Sequence, residues 1–139
     1  MKYRKIDNTY VLRLVPGEEV LEKIKELAAI ENINAATISG LGAGGPIVIG
    51  IFDRVKKVHK EDVYEGLYEI LSFTGNLSRK EGEPYVHMHL TFSDENNNAF
   101  GGHLTKCVIT LTAEIFITVL DGELTRAFDS DFGSFVLDV

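Results

Sequence analysis

Most of the chain reads as short runs of alternating apolar and polar residues, separated by glycine-rich or polar turns. One stretch follows a different period. Val20, Leu21, Ile24, Leu27 and Ala28 recur at i, i+1, i+4, i+7 and i+8, which predicts an amphipathic helix ending near Glu31. Pro16-Gly17 breaks the strand "TYVLRLV" (Thr9–Val15) before it. Glu18 and Glu19 then place negative charge where a helix N-terminus favours it. The rest reads as β. "AATISGLG" (Ala35–Gly42) runs into glycines, and "PIVIGIFD" (Pro46–Asp53) is rich in β-branched residues. "YEGLYEILSFTGNLS" (Tyr64–Ser78) is a long strand or a bent pair, and "PYVHMHLTF" (Pro84–Phe92) follows. After the polar turn "SDENNNA" come "AFGGHL" and "KCVITLTAEIFITVL". Asp121-Gly122 then turns the chain into "ELTRAFD", and "GSFVLDV" closes it. Seven to eight strands in mostly hairpin order with one helix give an α+β expectation. It is a mostly antiparallel sheet flanked by one main helix, as a single domain over residues 1–139.

Three of the four histidines lie in "GEPYVHMHLTFSDENNNAFGGHL", residues 82–104. Residues i and i+2 of a strand share a face, so His87 and His89 lie beside Tyr85 and Thr91. Val86, Met88, Leu90 and Phe92 point to the core. A hairpin symmetric about Asn96 places His89 opposite His103, and cross-strand neighbours have Cβ atoms about 4.5–5.5 Å apart. Three imidazoles then meet around one point. Three histidines with an open position suit a zinc-type site, and nickel, iron or copper could use the same donors. Asp94 and Glu95 in the turn are candidates for supporting hydrogen bonds to the ligands. The alternative is that these histidines are half-buried polar residues of a sheet face. His59, in "VKKVHKED", reads that way, on a charged connection.

Two other motifs bear on function. "GLGAGG" (Gly40–Gly45) matches the dinucleotide pattern G-x-G-x-x-G, but Pro46 and a β-rich run follow where a helix is required. A glycine-rich turn, or a place where backbones pass closely, is the expectation. The H-x-H pair suggests a cupin, but no glutamate stands at the cupin spacing and the second cupin motif has no counterpart.

Composition narrows the partners. The chain of 139 residues is 45% hydrophobic and carries a formal net charge of −7. That argues against broad electrostatic attraction to nucleic acid or an anionic membrane. The single Cys107 allows no intrachain disulfide and fits a reducing compartment. The basic start, Met1 to Lys5, leads into no apolar signal segment. No apolar run reaches the roughly 18 residues of a membrane helix. A cytoplasmic protein is expected. Cys107 reads as a small core residue. Glu114, among apolar and threonine neighbours, could answer Arg79, Arg126 or a site histidine, or form an interface salt bridge, and Arg126 could be a subunit contact. No serine or cysteine pairs with a histidine as a nucleophile.

"TISGLGA", "EILSFTGNLSRKEGEPYVHMHL", "FGGHL", "TAEIFI" and "ELTRAFD", in that order from about Val11 to Phe135, resemble the plants-and-prokaryotes-conserved (PPC) domain. The resemblance implies a sheet of about seven strands with a flanking helix, assembled as a homotrimer. In plants the domain follows AT-hook motifs and contacts transcription factors. Stand-alone prokaryotic members are labelled DNA-binding candidates. This chain has no AT-hook and no basic arm, so the resemblance implies the assembly module without the DNA reader, with other regulatory proteins as partners. The family's histidines fall on His87, His89 and His103, where the resemblance implies a metal. Three readings follow. One is a non-enzymatic homotrimer holding one divalent transition metal per chain, zinc by donor type. The second is a metal-dependent enzyme with Asp94 or Glu114 as general base. The third is direct nucleic-acid binding, which needs a basic stripe.

Overall fold

The computed structural model describes every residue except Arg54 and Lys57, with His59 described through its backbone alone. The elements run β1 (Lys2–Ile6), β2 (Thr9–Leu14), α1 (Val20–Ile30), β3 (Ala36–Asp53), β4 (Val58–Tyr64), β5 (Tyr68–Lys80), β6 (Glu83–Ser93), β7 (Ala99–Val119), β8 (Thr125–Asp129) and β9 (Ser134–Asp138). The fold is α+β, a mostly antiparallel sheet with one helix among the described residues.

The pairing is partly closed on itself. β3 pairs β5 and β7, and β6 pairs the same two strands, so β3, β5, β6 and β7 form a hydrogen-bonded ring. β2 and then β1 extend the sheet from β7. The β8–β9 hairpin attaches to β5 through a parallel bridge at Arg79 and Thr125. The core inside the ring comes from the apolar phase of each strand: Phe73 and Leu77 of β5, Met88, Leu90 and Phe92 of β6, Ile109, Ile115 and Ile117 of β7. α1 covers one side with Val20, Ile24, Leu27 and Ala28, as its period required. The Glu19 carboxylate caps the helix by accepting from the Glu22 backbone N–H at 2.7 Å. It also accepts from the Cys107 N–H at 3.0 Å, which ties the helix start to β7.

Several boundaries differ from the expectation. "AATISGLG" and "PIVIGIFD" are one strand, β3, and "AFGGHL" and "KCVITLTAEIFITVL" are one strand of 21 residues, β7. The glycines do not make a turn. β3 passes straight through them, with its register shifting at bulges beside Gly42 and Gly44. Their role is close approach: a Cβ on Gly42 would stand 2.5 Å from the Thr112 carbonyl oxygen. The charged segment around His59 is not a connection but strand β4, whose Val58–Tyr64 backbone pairs with β3. β1, a polar strand with no buried residue, gave no alternation to read.

Candidate metal centre

The site is built from the β6–β7 hairpin. Asp94 closes the turn: its carboxylate accepts from the backbone N–H groups of Asn96 and Asn98, both at 2.9 Å, and from the Asn98 side-chain amide at 3.1 Å. These bonds hold its carboxyl below the ordinary carboxylate pKa, the Asn98 side chain contributing most. The turn fixes the register. Ser93 pairs Ala99, Phe92 pairs Phe100, and His89 stands opposite His103. On its other edge His103 faces Gly50 of β3. Along β6, Val86, Met88, Leu90 and Phe92 are buried while His87, His89 and Thr91 are not. The alternation read from the sequence is the one the fold uses.

The three imidazoles converge. Their nitrogens lie within 4.8 Å of one another. The ring centroids are 5.4 Å apart for His87–His89, 5.1 Å for His87–His103 and 5.5 Å for His89–His103. Tetrahedral zinc, with bonds of about 2.0–2.1 Å to nitrogen, needs its donors about 3.4 Å apart. Rotation of the imidazoles would have to close the difference. His87 is half-buried, and burial foremost, then the Arg126 charge and His89, lower its pKa. Its imidazole is therefore neutral at physiological pH, the form that ligates a metal. The donor set fits a divalent transition ion of the zinc type.

The cluster lies on the wall of a cavity of about 440 Å³. Gly50, Gly101 and Gly102 line it with backbone only, which keeps the space beside His103 open. Ile51, Phe52, Tyr85 and Phe135 give apolar walls. Arg126 of β8 lines the same cavity. Its Nε donates to Ser78 Oγ at 2.9 Å, one terminal nitrogen to Asn76 Oδ1 at 2.9 Å, and the other to the Phe135 carbonyl at 3.3 Å. The guanidinium carbon lies 4.6 Å from the Tyr85 ring centroid. Asn76 is the β5 partner of His87, and Ser78 that of Tyr85, so the polar faces of β5 and β6 carry Arg126 between them.

His87, His89 and His103 thus come together, and Asp94 and Glu114 do not join them. Asp94 is committed to the turn. Glu114 is exposed on β7, its backbone opposite Arg13 of β2 and Leu41 of β3, eleven residues along the strand from His103. At about 3.3 Å per residue that is a path of roughly 36 Å along the strand. Sequence reasoning did not find Asn76 and Ser78, although "FTGNLS" carries the signal: Thr74, Asn76 and Ser78 alternate with Phe73, Gly75 and Leu77. The sequence presents Arg126 only as an ion-pair or subunit contact, because its approach to the histidines depends on where the β8–β9 hairpin docks.

Comparison with known proteins bears on this geometry. A metal-containing protein from Archaeoglobus fulgidus is 34% identical, with a TM-score of 0.88 over 99% of each chain. A plant- and prokaryote-conserved (PPC) protein from Pyrococcus horikoshii is also 34% identical at a TM-score of 0.88, over 99% of this chain and 94% of that one. A candidate DNA-binding protein from Ralstonia eutropha JMP134 is 30% identical at a TM-score of 0.92, over 99% of this chain and 96% of that one. Among curated proteins, the bifunctional protein GlmU of Synechococcus sp. (strain JA-2-3B'a(2-13)) is 31% identical over 110 residues, 78% of this chain but only 16% of that far longer protein. The profile of the Plants and Prokaryotes Conserved (PCC) domain matches residues 1–121, from β1 to just past β7, and the chain belongs to that family.

Proposed function

We propose that the chain binds one divalent transition metal, zinc by donor type, through His87, His89 and His103, and acts as a homotrimeric assembly or regulatory module. The observation that carries this reading is the convergence of three imidazoles on one face of a turn-fixed hairpin. The metal-containing relative from Archaeoglobus fulgidus supports it. When bound, the ion would supply a Lewis-acidic centre with a position left open toward the cavity. His87, neutral through burial, and His89 and His103, fixed by register, would hold it.

The DNA-binding label of the Ralstonia relative comes to this chain as contact through partner regulatory proteins, because a net charge of −7 opposes direct attraction to phosphate. A metal-dependent enzyme is the second reading, favoured by the open cavity. It has no carboxylate general base to hand: none of the described residues lining the cavity is Asp or Glu. The binding reading therefore ranks first.

Elemental analysis by mass spectrometry on untagged, natively purified protein tests the metal. About one ion per chain is expected. Absence of metal after incubation with zinc would return the histidines to the role of polar sheet residues.

A further inference from the structure

Among the described residues, no counter-charge pairs with Arg126. The guanidinium is part-buried at the cavity wall, and no carboxylate among the described residues forms an ion pair with it. Its three partners are a hydroxyl, an amide oxygen and a backbone carbonyl, all neutral. A guanidinium has five N–H groups, so two remain beyond these bonds. The Arg126 head is held in place by these bonds and by the Tyr85 ring, with the positive charge itself left unneutralised. In the same cavity, the three-histidine face would add further positive charge on taking up a metal. Ile51, Phe52, Tyr85 and Phe135 supply the apolar lining of that cavity.

We infer that this cavity takes a small organic carboxylate with an apolar body, its carboxylate between the Arg126 guanidinium and the metal held by His87, His89 and His103. The inference rests on the metal reading for one of its two contacts. A planar guanidinium fork matches a carboxylate, and such charged hydrogen bonds are about twice as strong as neutral ones. The aromatic walls take up the body of the ligand, and the glycines of β3 and β7 leave it room. Arg126 lies on β8, beyond the 1–121 segment matched by the family profile, while the histidines and most of the apolar lining lie within it.

The test uses benzoate, its neutral isostere benzamide, and inorganic phosphate as probes of the full-length protein. Zinc is titrated first, calorimetrically, and that result decides the metal reading alone. Benzoate is then titrated into metal-free and zinc-loaded protein. Benzoate should bind the zinc-loaded form at least about tenfold more tightly than benzamide or phosphate, as expected for a charged fork in an apolar-walled site. Loading with zinc should tighten it further. Arg126→Gln should weaken benzoate about tenfold or more in both forms without weakening zinc, and Arg126→Lys, which keeps charge and loses the fork, should recover only part. Equal affinity for benzoate and benzamide in wild-type protein would overturn the inference without recourse to any variant. So would unchanged benzoate binding in Arg126→Gln, or phosphate binding more tightly than benzoate. If zinc does not bind, the metal reading falls, and the loss of benzoate binding in metal-free Arg126→Gln still decides the Arg126 contact.

Discussion

His89 of β6 and His103 of β7 are direct cross-strand partners, while His87, two residues back on the same face, is opposite Asn76 of β5. The cluster is therefore a product of register. Two ligands come from one strand and the third from its hairpin partner, so no long loop has to close to assemble it. The imidazoles contribute little to the core, and the side chains beneath them, Met88 and Leu90, are buried independently. His87→Ala and His103→Ala should each weaken zinc binding by more than about 100-fold, beyond the usual cost of losing a supporting residue. The change in folding stability of the metal-free protein should stay at about 1 kcal/mol or less, because both imidazoles are part-buried and outside the core. His59→Ala should change neither. Titration calorimetry with thermal unfolding checks all three, and full metal occupancy in His103→Ala would remove the three-histidine assignment.

Gly75 tests how far that register depends on the strand behind it. It pairs with Met88, and a Cβ there would stand 2.3 Å from the His87 carbonyl oxygen and 2.4 Å from Met88 Cγ. Gly75→Ala must push β5 and β6 apart or move Met88. A cost of about 1–3 kcal/mol, typical of overpacking, is expected in chemical unfolding. Zinc affinity should drop as well, because the displaced backbone is that of His87 and Met88. A variant as stable as wild type with unaltered zinc affinity would show that the two strands tolerate separation.

How much of this could be read from the sequence follows from the range of each interaction. The helix, the β6 alternation and the His89–His103 pairing rest on local period and one short turn, and all three were legible. The path of β3 through its glycines was not, because those residues are accommodated by β7, more than sixty residues away in the chain. Strand β4 was hidden by its charges: one edge of it pairs with β3, and its exposed residues carry no apolar phase. Arg126 was visible as a charge but not as a site residue. Its three acceptors, Asn76, Ser78 and the Phe135 carbonyl, come from two other strands. Asp94 misled for a local reason: a carboxylate at the start of a polar turn finds its own backbone N–H groups before it reaches a histidine.

Glu31 gives a dependence on pH. Its carboxylate accepts from the Tyr3 hydroxyl at 2.7 Å and from the Tyr10 hydroxyl at 2.8 Å, joining the end of α1 to the β1–β2 hairpin. The Tyr3 bond and then the Tyr10 bond lower the carboxyl pKa from its ordinary 4.5. A carboxylate whose pKa is depressed on folding stabilises the fold above its unfolded-state pKa and loses that contribution as pH falls through the folded value. Glu31→Gln should therefore unfold at lower temperature than wild type at neutral pH. The gap should narrow as pH falls below the ordinary carboxylate range. A gap of constant size across that range would mean that the glutamine amide, or packing alone, accounts for the contact.

Cys107 should be chemically silent. It is fully buried on β7, and burial first, with the Glu19 charge beside it, pushes its thiol pKa up to about 12. Thiolate, not thiol, is the nucleophile. Labelling of the native protein by iodoacetamide should be no faster than global unfolding allows, and in denaturant it should be complete. Rapid native labelling would mean that β7 opens locally near α1.

The last prediction concerns assembly. Leu41 of β3 stands in the bulge opposite Leu71 of β5, and on its other side it lies diagonal to Phe116 of β7, next to its direct partner Glu114. These three side chains are 53%, 52% and 44% exposed, an apolar strip across three adjacent strands of the ring. Such a strip on an isolated chain is a surface in want of a partner, and further copies of the same chain would cover it in a trimer. Light scattering on the eluting protein should give three times the chain mass. Leu41→Glu places a charge in the middle of the strip without touching the core, so it should yield a folded protein of the chain mass, with circular dichroism unchanged. The histidines lie on a different part of β6 and β7, and the monomer should keep its three-histidine face. A Leu41→Glu protein that stays trimeric would move the interface elsewhere, and a wild-type protein of single-chain mass would remove the trimer.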